Sequence, residues 1–159
     1  MRTVAWIMVA LVLCVGAALA YSLYAAELGA VVIGVEVTPA SDRAEEFSAL
    51  RQAVEERSLI GVLFLAEPLG EPGEYEFHTY TVRGKNNGFL PADWIRMDVR
   101  PEAGDVLQID KESANQLPAM SEGVMELTVL AKRGSGAERE LSMTYFIWSR
   151  LYRVSVRQR

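Results

Sequence analysis

Few side chains in this chain of 159 residues could do chemistry: one histidine, one cysteine and 21 acids. His78 could act as a general base only if a nucleophile and an orienting group converged on it, and no motif supplies them. A structural or solvent-facing histidine is therefore the expectation. A metal site built from His78 and carboxylates has no recognisable ligand spacing. Asp93, Asp98, Asp105 and Asp110 raise the question of calcium, but no D-x-D-x-D-G loop connects them, and they read as solvated strand ends. The acids leave one enzymatic class open, a carboxylate-based hydrolase, because glycosidase-type chemistry needs only two carboxyl groups at a set separation. There is no phosphate-cradling glycine loop, nucleophile elbow or internal repeat. No catalytic, cofactor-binding or metal residue is assigned, and the first reading is a binding module, not an enzyme.

The element that positions everything else is Val4 to Ala26, 23 residues without a formal charge between Arg2 and Glu27. As a helix it would be roughly 34 Å long, enough to cross a hydrocarbon core of about 30 Å. Trp6 near its start and Tyr21 and Tyr24 near its end sit where interfacial aromatic belts sit. Arg2 precedes the segment, and no cation follows until Arg43, after Glu27, Glu36 and Asp42. The positive-inside bias then leaves residues 1–3 in the cytoplasm and residues 27–159 outside as one domain. The competing reading is a secretory signal cleaved after Ala18-Leu19-Ala20, which releases a protein beginning at Tyr21. Cys14 lies inside the apolar run as a small packing residue, so the exported part has no disulfide.

Charge is uneven along that part. Residues 27–76 carry 11 acids and 3 bases, a net of −8, and residues 77–159 carry 10 and 12. The acidic half argues against a nucleic-acid partner. Arg150, Arg153, Arg157 and Arg159 close the chain without an acid among them. They could touch lipid headgroups or a cell-wall polymer, but they read first as charges that blunt an edge strand.

Ala30 to Thr38 is β-branched and apolar and reads as a first strand, stopped by Pro39. From Ser41 to Arg57 the period changes: Phe47, Leu50 and Val54 form the stripe of an amphipathic helix, with Ser41 or Asp42 as its cap. That stripe could dock a partner through Phe47 and Leu50, although packing on its own domain is the simpler use. Leu59 to Ala66 reads as a buried strand, and Glu74 to Arg83 as another. Gly84 to Gly88 is a loop with an Asn-Gly turn pair.

Ile95, Met97 and Val99 then alternate with Trp94, Arg96 and Asp98. Trp94 falls on the polar face or its rim, as a contact for a partner or sugar ring or, by preference, a ring covered by a neighbouring loop. Asp105 to Asp110 is a short strand. Val124 to Lys132 and Glu140 to Trp148 read as a hairpin turned at Gly134-Ser135-Gly136, and a strand around Tyr152, Val154 and Val156 ends the chain.

Seven or eight short strands joined by Gly, Pro and Asn turns predict a mainly β fold, an antiparallel immunoglobulin-like sandwich with one inserted helix behind a transmembrane helix. The alternative is an α+β domain with the helix laid across one sheet. Asn86–Val99 (NNGFLPADWIRMDV) resembles a strand pair of CARDB-like bacterial surface domains. Leu117–Lys132 (LPAMSEGVMELTVLAK) is similar to their loop with a Gly before a long strand. The resemblance spans about Glu74 to Arg157. It implies an accessory, cell-surface or interaction role, with no catalytic residues to transfer and no cofactor. The helix at Ser41–Arg57 departs from that pattern. The expected partners are the membrane and a protein or cell-wall polymer, or the fellow subunits of a membrane complex.

Overall fold

The computed structural model describes residues 2–24, 28–65, 67–109 and 116–158, without the side chains of residues 2 and 22–24. The apolar run forms one helix, α1 (Arg2–Tyr24). Its segment Thr3–Tyr21 has a mean hydropathy of 2.5, and none of it is buried by the rest of the chain. It is long and apolar enough to cross a membrane.

Two antiparallel sheets follow. Along the chain come β1 (Leu28–Pro39), a 3-10 turn, α2 (Ala44–Glu55), β2 (Gly61–Leu63), β3 (Tyr75–Asn86), β4 (Ala92–Val99), β5 (Asp105–Ile109), β6 (Gln116–Leu117), β7 (Glu122–Lys132), β8 (Leu141–Ile147) and β9 (Arg150–Ser155). The first sheet has the order β1-β3-β7-β5-β2 and the second β6-β4-β8-β9. Strand alternation sends Val82, Leu127 and Val129 of the first sheet against Ile95, Met97, Met143 and Tyr145 of the second, and these form the main core.

A second core lies on the other face of the first sheet. There Tyr75, Phe77 and Leu130 point away from the sandwich and α2 covers them with Phe47, Leu50 and Val54. The Phe47 and Tyr75 rings sit 5.4 Å apart. The helix starts without a side-chain cap, because the chain enters it from Pro39 through the 3-10 turn Ala40–Arg43. Ser41 and Asp42, expected as caps, lie in that turn.

Two sequence expectations change. The run Leu59 to Ala66, whose last residue lies outside the described residues, is not a buried strand from Leu59 to Leu65: only Gly61–Leu63 pairs, at the sheet edge, and Ile60 is exposed. Gly61 approaches β5 so closely that a Cβ would lie 2.1 Å from the Gln108 carbonyl oxygen. Phe64 then turns into the main core, while Leu59 and Leu65 join the second. The apolar run therefore feeds two cores instead of crossing one sheet.

The other change is the hairpin. β7 and β8 belong to different sheets, so Gly134–Gly136 is a crossover. The tight hairpin is β8–β9, where Ile147 pairs with Arg150 around Trp148-Ser149. The open edge of β4 is bridged from the first sheet: Gln108 Nε2 donates to the Met97 carbonyl at 2.9 Å, and the Val99 N–H donates to Gln108 Oε1 at 3.0 Å.

Candidate functional site

His78 is inside the sandwich and 1% exposed. Its Nε2 lies 2.9 Å from Glu76 Oε1, two residues along the same face, and its Nδ1 has no hydrogen-bond partner among the described residues. The Asp residues do not converge. Asp93 accepts from Gln116, Asp98 lies 3.1 Å from Arg96, and Asp110 lies outside the described residues. Asp105 is not a solvated strand end but fully buried. Among the described residues, no three His, Cys, Asp or Glu side chains are grouped to hold a metal ion.

Phe47 is buried beneath α2 and Leu50 partly so, which removes both from the surface as partner contacts. Arg153 is exposed on β9, the edge strand of the second sheet, with Nη2 4.0 Å from Asp98. Arg157 instead joins the two sheets. Its N–H donates to the Ala30 carbonyl at 3.0 Å, and its carbonyl accepts from Val32 at 2.9 Å. Trp94 is exposed, and no loop among the described residues covers it. Trp6 and Tyr21 are exposed on α1, and the Tyr24 side chain lies outside the described residues.

The Arg157 bridge ends at Val32, where a β-bulge shifts the register of β1 against β3. Beyond it Val35 pairs with Tyr80 and Val37 with His78, so both valines lie on the sheet face that looks into the sandwich. They are nevertheless 46% and 45% exposed. The second sheet does not reach them, and beyond the Arg157 bridge no strand among the described residues lies beside the outer edge of β1. The result is an open-sided recess of about 260 Å³ between β1 and the β7–β8 crossover, lined by Ile33, Gly34, Val35, Tyr80, Ala137 and Glu138.

The far wall of the recess is fixed by a buried ion pair. Arg139 Nη2 lies 2.7 Å from Asp105 Oδ1 and Nε 2.9 Å from Oδ2, a two-pronged contact. Nη1 donates to the carbonyls of Gly136 and Glu138 at 2.5 and 2.7 Å, and lies 3.4 Å from Glu102. The Tyr80 hydroxyl donates to the Ala137 carbonyl at 2.8 Å, and Gln158 donates to that of Arg139. The crossover backbone is thus held from three sides. The hydrogen bond to Asp105 raises the Arg139 pKa above its ordinary value, and burial pushes the Tyr80 hydroxyl up to about 12. No protein-family model matches the chain, and no curated protein matches it.

Sequence reasoning missed both Arg139 and the recess. Arg139 follows a Gly-Ser-Gly stretch and precedes Glu140, which reads as a solvated loop. The only signal for the recess was the apolar second half of Ala30 to Thr38 in a strand that turned out to be an edge.

Proposed function

We propose that the chain is a single-pass, bilayer-anchored binding module whose domain lies outside the cytoplasm and takes an extended polypeptide segment along the open edge of β1. The observation that carries this reading is the pair Val35 and Val37: β-branched, half-exposed, on an inward-looking face, beside a free strand edge. A free edge of this kind, beyond the bulge and before Pro39, is a template for strand addition, with main-chain hydrogen bonds for affinity and alternate side chains for selectivity. The recess takes an apolar side chain, and Glu138 in its lining favours a segment that also carries a basic residue.

Support for the immunoglobulin-like class comes from strand order. With β2 and the two-residue β6 set aside, β1-β3-β7-β5 facing β4-β8-β9 has the ABED and CFG orders of a constant-type domain. The segment of α2 and β2 is then an insertion between the first two strands. CARDB-like surface domains remain the family whose interaction role fits this arrangement. Arg2 ahead of α1 and Glu27, Glu36 and Asp42 behind it support the outward orientation. The nearest acids to the recess are held by Arg139 or stand on open surface, which favours binding over carboxylate catalysis.

The test is a photo-reactive residue placed at Val35 in the intact protein in its native membrane, with Val124, exposed at the other end of the domain, as the control position. Expected is one polypeptide captured from position 35 and not from 124, lost in V37K, with slowed amide exchange at Gly34 to Thr38 in its presence. Capture of nothing, or equal capture from both positions, overturns the reading.

A further inference from the structure

The end of the sandwich from which α1 departs is built differently from the rest of the surface. The strand register collects there the start of β1 (Leu28 opposite Asn86), the start of β4 (Asp93 opposite Phe146), the start of β7 (Glu122 opposite Lys85) and the β8–β9 turn. The four largest apolar side chains that these connections carry are not tucked in. Phe89 is 67% exposed, Trp94 74%, Met120 68% and Trp148 58%. They come from four separate places in the chain: the β3–β4 loop, the bulge in β4, the β6–β7 loop and the β8–β9 turn.

The backbone beneath them is strained in the same direction. Trp94, Met120 and Trp148 have φ of +52°, +54° and +49°, and Ser149 has +61°. The only other described non-glycine residue with positive φ is Arg57, just past α2. Left-handed backbone is costly for bulky side chains, and persists where the surroundings impose it. Around Met120 the loop is held by the buried Asn86, whose Nδ2 donates to the carbonyls of Leu90, Leu117 and Pro118 at 2.9, 3.2 and 3.0 Å. The Met120 N–H adds a bond to the Gly88 carbonyl at 3.1 Å. Two loops are clasped so that Phe89 and Met120 project together.

Only three residues separate the last residue of α1, Tyr24, from the first of β1, Leu28. Four Cα steps span at most about 14 Å. The Leu28 N–H in turn donates to the Tyr145 hydroxyl at 3.0 Å, which ties the strand start to the second sheet. Whatever surface α1 emerges from must therefore lie close against this end.

We propose that this end is a bilayer-docking face: Phe89, Trp94, Met120 and Trp148 enter the interface of the leaflet from which α1 emerges, so that the domain rests on the membrane. The occupant is lipid, because the short link to α1 holds this end against the surface from which the helix emerges, and aromatic rings favour the headgroup level; Trp94 also borders a wide-open recess of about 350 Å³ with Asp93, Phe146 and Ser149. A sugar platform would need free polar partners beside the rings, and Asp93, next to Trp94, is engaged by Gln116 at 2.8 Å. The proposal rests on the anchor part of the functional reading and is independent of the β1 edge.

The chain has three tryptophans, Trp6, Trp94 and Trp148. In the full-length variants W6F/W148F and W6F/W94F, one domain tryptophan reports at a time. Each is reconstituted in phosphatidylcholine vesicles with and without brominated acyl chains. Expected is flotation with the vesicles, loss of emission in the brominated lipid and protection from aqueous iodide for both reporters. Flotation with no bromine quenching and full iodide quenching overturns the docking face and leaves the anchor standing. Failure to float overturns the anchor and the docking face with it. An emission shift on adding a soluble cell-wall glycan, without bromine quenching, overturns lipid as the occupant.

Discussion

The two ends of the sandwich solve the same problem with opposite chemistry. Each has loops that must be held by a buried polar group. At the end away from α1 that group is charged, Arg139 against Asp105, and the crossover has Glu102, Glu138, Glu140 and Gln158 around it on one side and the apolar recess of β1 on the other. At the α1 end the group is neutral, Asn86 against three carbonyls, and what projects outward is Phe, Trp and Met. A buried charge needs a counter-charge as well as hydrogen bonds to offset its desolvation, whereas a neutral amide needs only hydrogen bonds. A neutral clasp thus suits an end that lies against lipid, and a charged one an end that stays in water.

The largest expected effect tests the charged clasp. Asp105→Asn takes away the buried two-pronged counter-charge of the Arg139 guanidinium and leaves only the exposed Glu102 at 3.4 Å, and should cost about 3–5 kcal/mol in urea unfolding of the detergent-solubilised chain. The double variant D105L/R139M should recover most of that, because a buried pair exchanged for apolar groups is often neutral. A small cost for Asp105→Asn alone would mean that the crossover is not held by this pair. The neutral clasp should come next. Asn86→Ala strips three carbonyls and the Gly88 N–H of their partner, for a cost of about 2–3 kcal/mol. If it cost more than Asp105→Asn, the ranking of the two ends would be reversed.

The charged end should also be the one that responds to alkali. Tyr80 has its folded-state pKa raised to about 12 from 10.0, first because it is buried. A raised pKa means that the folded state keeps the proton which the unfolded chain gives up. The contribution is therefore complete below about pH 10 and lost as pH climbs through about 12, amounting to roughly 2 kcal/mol. Unfolding measured across pH 9 to 12 should show the fall, and Tyr80→Phe should flatten it.

Legibility differed between the ends for physical reasons. Periodicity exposed the strands and α2, since Phe47-Leu50-Val54 and Ile95-Met97-Val99 obey local geometry. It could not expose Arg139 or Asn86, whose partners across the fold, Asp105 and Leu117, lie 34 and 31 residues away in the chain. Nor could it separate Gly134–Gly136 as a crossover from a hairpin, because a glycine turn looks alike in both. The true hairpin was hidden by its residues. A two-residue loop with both φ angles positive usually announces itself as Asn-Gly, and here it is Trp148-Ser149.

That turn offers the smallest and most discriminating change. Replacing Trp148-Ser149 by Asn-Gly puts at each position a residue that tolerates positive φ, and leaves the pairing of Ile147 with Arg150 untouched. If Trp148 packs on nothing in its own domain, as its exposure implies, the chain should gain about 1 kcal/mol in detergent. The same variant should release the α1 end of the domain from vesicles, seen as greater iodide quenching of Trp94 in W6F/W148N/S149G than in W6F/W148F. A gain in stability with loss of contact would mean that the strained turn is kept for what it presents and not for the fold. A loss of stability would mean that the indole packs against its own domain, and the contrast between the two ends would then rest on Phe89, Trp94 and Met120 alone.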